Sequence, residues 1–312
     1  MRPRPFTKTW IVRLVGFGFG CAAFLGCVSA PRIIPLPVAS EAIRPSAANL
    51  KDYPEAIAAI VSILTGDLGL PAPEGTVTLY PNGMTLEAAL LVEMQKDSEL
   101  IEAQLEPKAR EKFRVGRDER LALQARQLAT TSSAIAMHKR IFVNELLFFR
   151  YPWYERVRFL AHEMAHVVER GTSNGRPTSA ARWMQEGFAE WVAYKVQEAI
   201  DIETFAKARE RSVDTIAKAK VFQTFPSLTQ LNTGEDWLTW VRTLGLAATY
   251  AQAFLAVDFW IEQSGLSPVV EYFRLFNKLN NRERNFTVAS GDTIKTFEEK
   301  FDNHLKSLIG RK

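Results

Sequence analysis

The sequence predicts an α+β fold in which a small N-terminal sheet precedes a mostly helical C-terminal half. Three observations predict this class. Short apolar segments bounded by turn residues occur before residue 145, and apolar residues recur at helical spacing through most of the chain after it. Strands and helices also do not alternate as they do in a parallel, doubly wound fold. With 47% hydrophobic and 24% charged residues, the composition is typical of a globular protein.

Residues 1–26 predict an export signal. They begin with a basic stretch, and residues 14–26 form an uncharged run that is too short to cross about 30 Å of hydrocarbon comfortably. Gly26-Cys27 resembles a bacterial lipobox, in which the cysteine is lipidated and becomes the mature N-terminus. We therefore expect an exported lipoprotein, anchored through Cys27 in the membrane of the bacterial cell envelope. The alternatives are an ordinary signal peptide cut near Ser29-Ala30, an uncleaved anchor, or lipidation at Cys21.

Residues 27–50 predict a tether, because four prolines lie among small residues without a sustained helical or strand period. A flexible chain of this length would hold the folded body about 25–30 Å from the lipid. We expect residues 51–312 to form the folded domain.

The predicted elements of the domain begin with a helix, a strand with its turn, a helix-rich segment interrupted near Pro107 and Gly116, and a hairpin around His138-Lys139. These elements span residues 56–64, 76–83, 85–128 and 133–144. The second half of the chain predicts helices at residues 154–170, 181–199, 202–220, 244–264, 268–279 and 293–308.

Charge and cysteine content exclude several classes of protein. Of the 39 basic residues, four lie in residues 1–26 together with no acid, so the rest of the chain carries 35 basic and 35 acidic residues. We therefore expect no nucleic-acid partner. Because Cys21 and Cys27 are the only cysteines, the folded domain has no thiol for a disulfide, an iron–sulfur site or a cysteine nucleophile.

Residues 162–166 carry the first chemical signal, the motif H-E-x-x-H. Histidines four residues apart on an α-helix differ by about 40° in direction and about 6 Å along the axis, so His162 and His166 can both reach one metal ion. Glu163 then projects beside that ion, where it can act as a general base. The alternative is a pair of histidines on a solvated helix face.

The next helix begins W-x-x-E-G-x-A at Trp183. With the preceding motif, this segment resembles the gluzincin metallopeptidases, the thermolysin-like and aminopeptidase-like zincins of the peptidase MA-like family. The resemblance is strong at residues 162–190 and topological elsewhere between residues 77 and 305. It implies a zincin-like domain, Zn²⁺ as the cofactor and Glu186 as the third metal ligand. A solvated glutamate at a helix start is the alternative.

The resemblance also assigns supporting roles. Glu190 would accept the N–H of a ligand histidine. Independently of the resemblance, Gly187 has no side chain and would allow close approach of two helices. Tyr250, which heads a helix as the catalytic tyrosine of the aminopeptidase-like relatives does, would stabilise the charge that develops on the intermediate. The alternatives are a surface carboxylate at Glu190 and a buried structural tyrosine at Tyr250. Weaker candidates for the cleft are Tyr154, Tyr194 and His138.

One departure from the aminopeptidase-like relatives bears on the substrate. Their strand before the zinc helix carries G-x-M-E-N, whose glutamate holds the free amino terminus of the substrate, and residues 133–145 lack this motif. An edge strand at residues 133–144 could still pair with an extended peptide. We therefore expect a zinc-dependent endopeptidase acting on peptides or proteins. The alternatives are a non-catalytic, zinc-stabilised peptide-binding lipoprotein and a scaffold that binds no metal.

Overall fold

The computed structural model describes residues 29–37, 52–175, 178–220 and 225–310. Its sheet has the strand order β1-β2-β4-β3. The outer pairs β1–β2 and β3–β4 are antiparallel, and the central pair β2–β4 is parallel, so β3 lies at an edge. The strands are β1 (Arg32–Pro35), β2 (Thr76–Tyr80), β3 (Ala134–Met137) and β4 (Arg140–Asn144).

Helices make up most of the rest of the described chain. They are α1 (Tyr53–Ser62), α2 (Gly83–Ala103), α3 (Pro107–Arg114), α4 (Arg117–Thr131), α5 (Glu145–Phe148), α6 (Trp153–Thr172), α7 (Arg182–Ala199), α8 (Phe205–Lys220), α9 (Gly234–Leu244), α10 (Leu246–Ser264), α11 (Leu266–Leu275), α12 (Arg282–Ser290) and α13 (Ile294–Gly310). A π-helical turn at Ile63–Asp67 continues α1. The predicted α+β class with a small early sheet and a helical C-terminal half is confirmed.

The sheet lies between two layers of helices. Alternate residues of β4 point to opposite faces: Ile141 and Val143 join the main hydrophobic core, whereas Phe142 packs in a smaller cluster with residues of α2 and α4. The main core contains α1, α6, α7 and α10. The edge strand β3 lies against α6.

Close packing of α7 on α10 depends on Gly187. A Cβ atom built at this residue would lie 2.3 Å from the carbonyl oxygen of Ala253, so only glycine permits this approach. The sequence predicts close approach of two helices here, and the neighbour is α10. The contact holds the N-terminal half of α10, which carries Tyr250, against α7.

The start of α10 differs slightly from the prediction. One helix was expected over residues 244–264, but Gly245 adopts a φ of 87° that an α-helix does not tolerate. Leu244 therefore ends α9 and Leu246 begins α10. Helix α9 itself is not predicted by apolar spacing; its start is capped by Thr233, whose hydroxyl accepts the N–H of Asp236 at 3.1 Å.

A larger difference concerns the predicted tether at residues 27–50. Residues Arg32–Pro35 of this segment form β1, which pairs with β2 along its whole length. A strand of four residues carries too little pattern to be recognised, and pairing with β2 stabilises it. Pro35 lies at the last position of this edge strand, where proline is tolerated. The described part of the chain therefore includes one strand of the sheet before residue 51.

Residues 1–28, which include the predicted signal and Cys27, lie outside the described residues. So do residues 38–50 of the predicted tether and residue 51 of the predicted domain. Within the described ranges, no helix is both long and apolar enough to cross a membrane.

Candidate metal centre

Helices α6 and α7 bring the three predicted metal ligands together. The Nε2 atoms of His162 and His166 are 3.3 Å apart, Glu186 Oε2 lies 3.3 Å from His162 Nε2, and Glu186 Oε1 lies 3.8 Å from His166 Nε2. A tetrahedral zinc ion with bonds of about 2.0–2.1 Å places neighbouring ligand atoms about 3.3 Å apart. The spacing therefore suits one tetrahedral ion.

Carboxylates behind the two imidazoles determine which ring nitrogens face the centre. Glu190 Oε1 lies 3.0 Å from His162 Nδ1, and Glu169 Oε2 lies 3.4 Å from His166 Nδ1. A carboxylate beside Nδ1 favours the proton on that nitrogen. The Nε2 lone pairs then converge with a Glu186 oxygen, and this set of two imidazoles and one carboxylate fits a zinc ion.

Glu190 is itself fixed by an arginine. Arg158 Nη1 donates to both oxygens of Glu190, at 3.0 and 2.9 Å. Burial raises the pKa of the Glu190 carboxyl, but the opposing effects of Arg158 and His162 are larger and bring this pKa down to about 2. Glu190 therefore stays ionised and can hold the Nδ1 proton of His162.

Glu186 also has an arginine partner, because Arg182 Nη2 lies 2.6 Å from Glu186 Oε1. Burial raises the pKa of Glu186, whereas Arg182 and the two histidines lower this pKa by more, so it lies well below its usual range. Burial lowers the pKa of His162, but hydrogen bonds to Glu186 and Glu190 outweigh burial and raise that pKa to about 10. The carboxylates thus favour a positive charge at His162, which a proton or a metal ion can supply.

Glu163 directly follows the ligand His162 on α6. Its Oε2 accepts the backbone N–H of Ala136 on β3 at 2.6 Å, and its charge acts on Arg182, the ion-pair partner of Glu186. Glu163 is not a member of the cluster of converging ligand atoms. Its carboxylate is therefore fixed at the edge strand, next to the helix that carries both histidines.

Tyr250 lies in the same site. Its ring centroid is 6.1 Å from that of His162 and 5.0 Å from that of Trp237 on α9. Burial raises the pKa of Tyr250 well above its usual value, and the nearby Glu186 carboxylate raises this pKa further. The hydroxyl therefore remains protonated and can donate a hydrogen bond within the site.

The three weaker candidates have other surroundings. His138 lies at the turn between β3 and β4, and its Nε2 is 2.9 Å from Asp97 Oδ1 on α2. Tyr194 packs against Phe254 with ring centroids 4.9 Å apart and hydrogen-bonds to Glu190 on the outer side of the ligand shell. Tyr154 is exposed near the start of α6. None of the three touches the converging ligand atoms.

Sequence reasoning missed Glu169, Gln185 and Arg182. Glu169 is buried, contacts His166, and accepts a hydrogen bond from Gln185 Nε2 at 2.5 Å. The signal was present: Glu169 follows His166 by three residues, and this spacing places both side chains on one face of a helix. Arg182 also had a signal, since it precedes Glu186 by four residues on α7. Gln185 has none, because its contact with Glu169 depends on how α7 packs on α6.

Comparison of the chain with protein-family models, with curated proteins and with solved structures finds no match. The resemblance to gluzincins therefore stays a prediction from the sequence.

Proposed function

We propose that this chain is an exported, lipid-anchored zinc peptidase that cleaves within extended peptides or proteins. The observation that carries this proposal is the placement of Glu163. Glu163 is the residue next to the ligand His162 on α6, it is not one of the three converging ligands, and its carboxylate is bonded to an edge strand. A site that only binds a metal ion has no need of a carboxylate at this place.

His162, His166 and Glu186 would hold the ion, with Glu190 and Glu169 orienting the two imidazoles. When bound, zinc would supply positive charge that acidifies a water molecule and polarises the scissile carbonyl group.

Glu163 would act as the general base. A carboxylate beside the attacking water takes up its proton as the oxygen bonds to the carbonyl carbon, and returns a proton to the leaving amine as the C–N bond breaks. The hydrogen bond from the Ala136 N–H fixes Oε2, so we assign proton transfer to Oε1. This hydrogen bond also keeps the carboxylate from swinging away from the centre.

Tyr250 would donate a hydrogen bond to the oxyanion. Its raised pKa keeps the hydroxyl protonated, and its ring lies next to the ligand His162. A buried donor aimed at developing negative charge is among the largest single contributions to acyl-transfer catalysis.

The edge strand β3 would position the substrate. β3 pairs with β4 on one side only, and an extended peptide can pair with such an edge through backbone hydrogen bonds. The Ala136 N–H at this edge is bonded to Glu163, so a peptide would pair with other outward backbone groups of β3 and would pass beside the general base. The absence of a G-x-M-E-N motif in residues 133–145 favours cleavage within a chain over removal of an N-terminal residue.

Export and anchoring are proposed from the sequence of residues 1–27 alone. Loss of acyl labelling in the Cys27→Ser variant would support lipidation at Cys27. Unchanged labelling in that variant would contradict it.

Glu163→Gln tests the peptidase proposal. The change is nearly isosteric, so we expect folding and zinc content to stay the same while hydrolysis of an unfolded protein falls by about 10²–10⁴-fold, the usual contribution of a positioned general base. Glu271→Gln on α11, outside the site, is the matched control and should keep full activity.

Unchanged hydrolysis in Glu163→Gln would contradict the role of Glu163. A different result would favour the alternative, a non-catalytic zinc-stabilised peptide-binding lipoprotein. In that case the wild-type chain would hold zinc yet cleave no member of a broad peptide library, and Glu163→Gln would bind the same peptides equally well.

A further inference from the structure

Large apolar side chains are exposed at one corner of the fold, where β4 leads into α5 and α6. The exposed fractions are 58% for Leu146, 47% for Phe149, 41% for Tyr151 and 48% for Tyr154. Folding alone gives no reason for three aromatic side chains to face water within six residues.

The first described residues of the chain lie at the same corner. Arg32 Nη2 at the start of β1 is 3.5 Å from Glu145 Oε1 at the start of α5. The guanidinium of Arg32 also lies 6.0 Å from the ring centroid of Tyr53, and that ring is 6.0 Å from the ring of Phe149. The start of β1 is therefore tied to the exposed aromatic group.

This position limits how far the body can be from a lipid on Cys27. Cys27 precedes Arg32 by five residues, which reach about 18 Å at most when fully extended. A tether of residues 27–50 would have allowed about 25–30 Å. Because β1 fixes Arg32 to the sheet, the effective tether ends there, and the corner next to Arg32 is the part of the described fold that is tied most directly to the anchor.

We infer that this corner, formed by Leu146, Phe149, Tyr151 and Tyr154, rests on the lipid bilayer in which the chain is anchored. The inference depends on the lipid anchor of the proposed function and not on peptidase activity. Tyrosine and other aromatic side chains favour the interface between headgroups and acyl chains, and a second membrane contact adds to the hold of a lipid anchor.

Basic side chains at the corner suit the same surface. Arg150 is exposed between Phe149 and Tyr151, and the guanidinium of Arg156 lies over the ring of Phe149 at 5.1 Å. Such cations can reach anionic phosphates while the aromatic rings enter the interface.

The contact would orient the candidate metal centre. His162 follows Tyr154 by eight residues on α6, or about 12 Å along the helix axis. The catalytic groups would thus be held close to the membrane surface, where the available substrates are the exposed segments of membrane-attached proteins and peptides.

The test uses the full-length chain, processed in cells and reconstituted in vesicles of phosphatidylethanolamine and phosphatidylglycerol. Because the folded domain has no cysteine, Leu146→Cys and Tyr151→Cys each introduce a single site for an environment-sensitive fluorophore. Val288→Cys on α12 is the matched control, since Val288 is 62% exposed and Leu146 is 58% exposed.

We expect lipids with brominated acyl chains to reduce emission at residues 146 and 151 by at least about twofold, because interfacial side chains lie about 5–10 Å into the headgroup boundary. Emission at residue 288 should not change. Equal quenching at all three sites, or no quenching at 146 and 151 in protein that floats with the vesicles, would overturn the inference. A probe shielded from water but not quenched would also overturn it, since another segment of the chain would then cover the corner.

Failure of the anchor gives a separate result. Protein that does not float with the vesicles would overturn both the anchor and the membrane contact. Loss of peptidase activity would not affect this readout.

Discussion

Gly187→Ala should lower the free energy of unfolding by about 2 kcal/mol, although alanine in a helix interior is favoured over glycine by about 1 kcal/mol. The added Cβ would lie 2.3 Å from the Ala253 carbonyl oxygen and 2.7 Å from Val257 Cγ2, whereas ordinary contacts begin at 3.4 Å. Helices α7 and α10 would have to separate, and overpacking that moves backbone costs about 3 kcal/mol. Subtracting the helix-propensity gain leaves the net value of about 2 kcal/mol.

Urea unfolding followed by circular dichroism measures this difference. Gly171→Ala is the matched control, because Gly171 lies in the last turn of α6 and its added Cβ would meet nothing within 4 Å. That variant should be unchanged or more stable by up to about 1 kcal/mol. The two substitutions should therefore shift stability in opposite directions. If Gly187→Ala is as stable as Gly171→Ala, the close contact of α7 with α10 is refuted.

Three further predictions concern the site and one buried ion pair. Glu169→Gln should weaken zinc affinity by about 10–100-fold, as loss of a carboxylate behind a ligand histidine typically does. Competition with a chromogenic chelator measures this affinity, and an unchanged value would exclude a role for Glu169 in orienting His166. Tyr250→Phe should lower kcat by about 10²–10³-fold with little change in KM, whereas a loss of stability with unchanged kcat would show that the tyrosine is structural. The third prediction concerns Glu93, whose pKa burial raises but hydrogen bonds from Lys96 and Arg140 lower by more, so that it lies below the ordinary value of 4.5. Because the pKa of this carboxyl is depressed on folding, its contribution to stability is present above about pH 4.5 and is lost as the pH falls through the folded-state pKa. Glu93→Gln should therefore have a lower free energy of unfolding than wild type at pH 7, and this difference should shrink on acidification. A difference that does not change with pH would argue against the ion pair.

The ligand histidines could be found from the sequence because a single helix determines their relation. Two residues four apart lie on one face of any α-helix, so His162 and His166 needed no knowledge of the fold. Glu186 required more, since its place beside the histidines depends on the packing of α7 against α6. The resemblance at residues 183–189 supplied that information.

Other parts of the fold depend on partners that are distant in the chain. The strand β1 exists because Arg32–Pro35 pairs with β2, about 45 residues later, and its own pattern is interrupted by proline. Helix α12 is largely polar, and its buried Phe286 packs on Trp183 and Trp260, with ring centroids 6.3 and 4.8 Å apart. By contrast, the division between α9 and α10 had a signal in Gly245, which can adopt the positive φ found there.

The charge balance of the centre shows what its two arginines do. Apart from the histidines, the ionisable side chains of this group are the ligand Glu186, the carboxylates Glu169 and Glu190 beside the histidines, Glu163 next to His162 in the chain, and Arg158 and Arg182. With neutral histidines this group carries a net charge of −2, and a buried charge of that size is costly unless it is compensated. One divalent cation compensates it fully. Without Arg158 and Arg182 the same group would carry −4, so the two arginines match the site to a single divalent ion. Arg182 compensates Glu186 at a helical spacing of four residues within α7. Arg158 has no such spacing, because it reaches Glu190 only through the packing of α6 on α7.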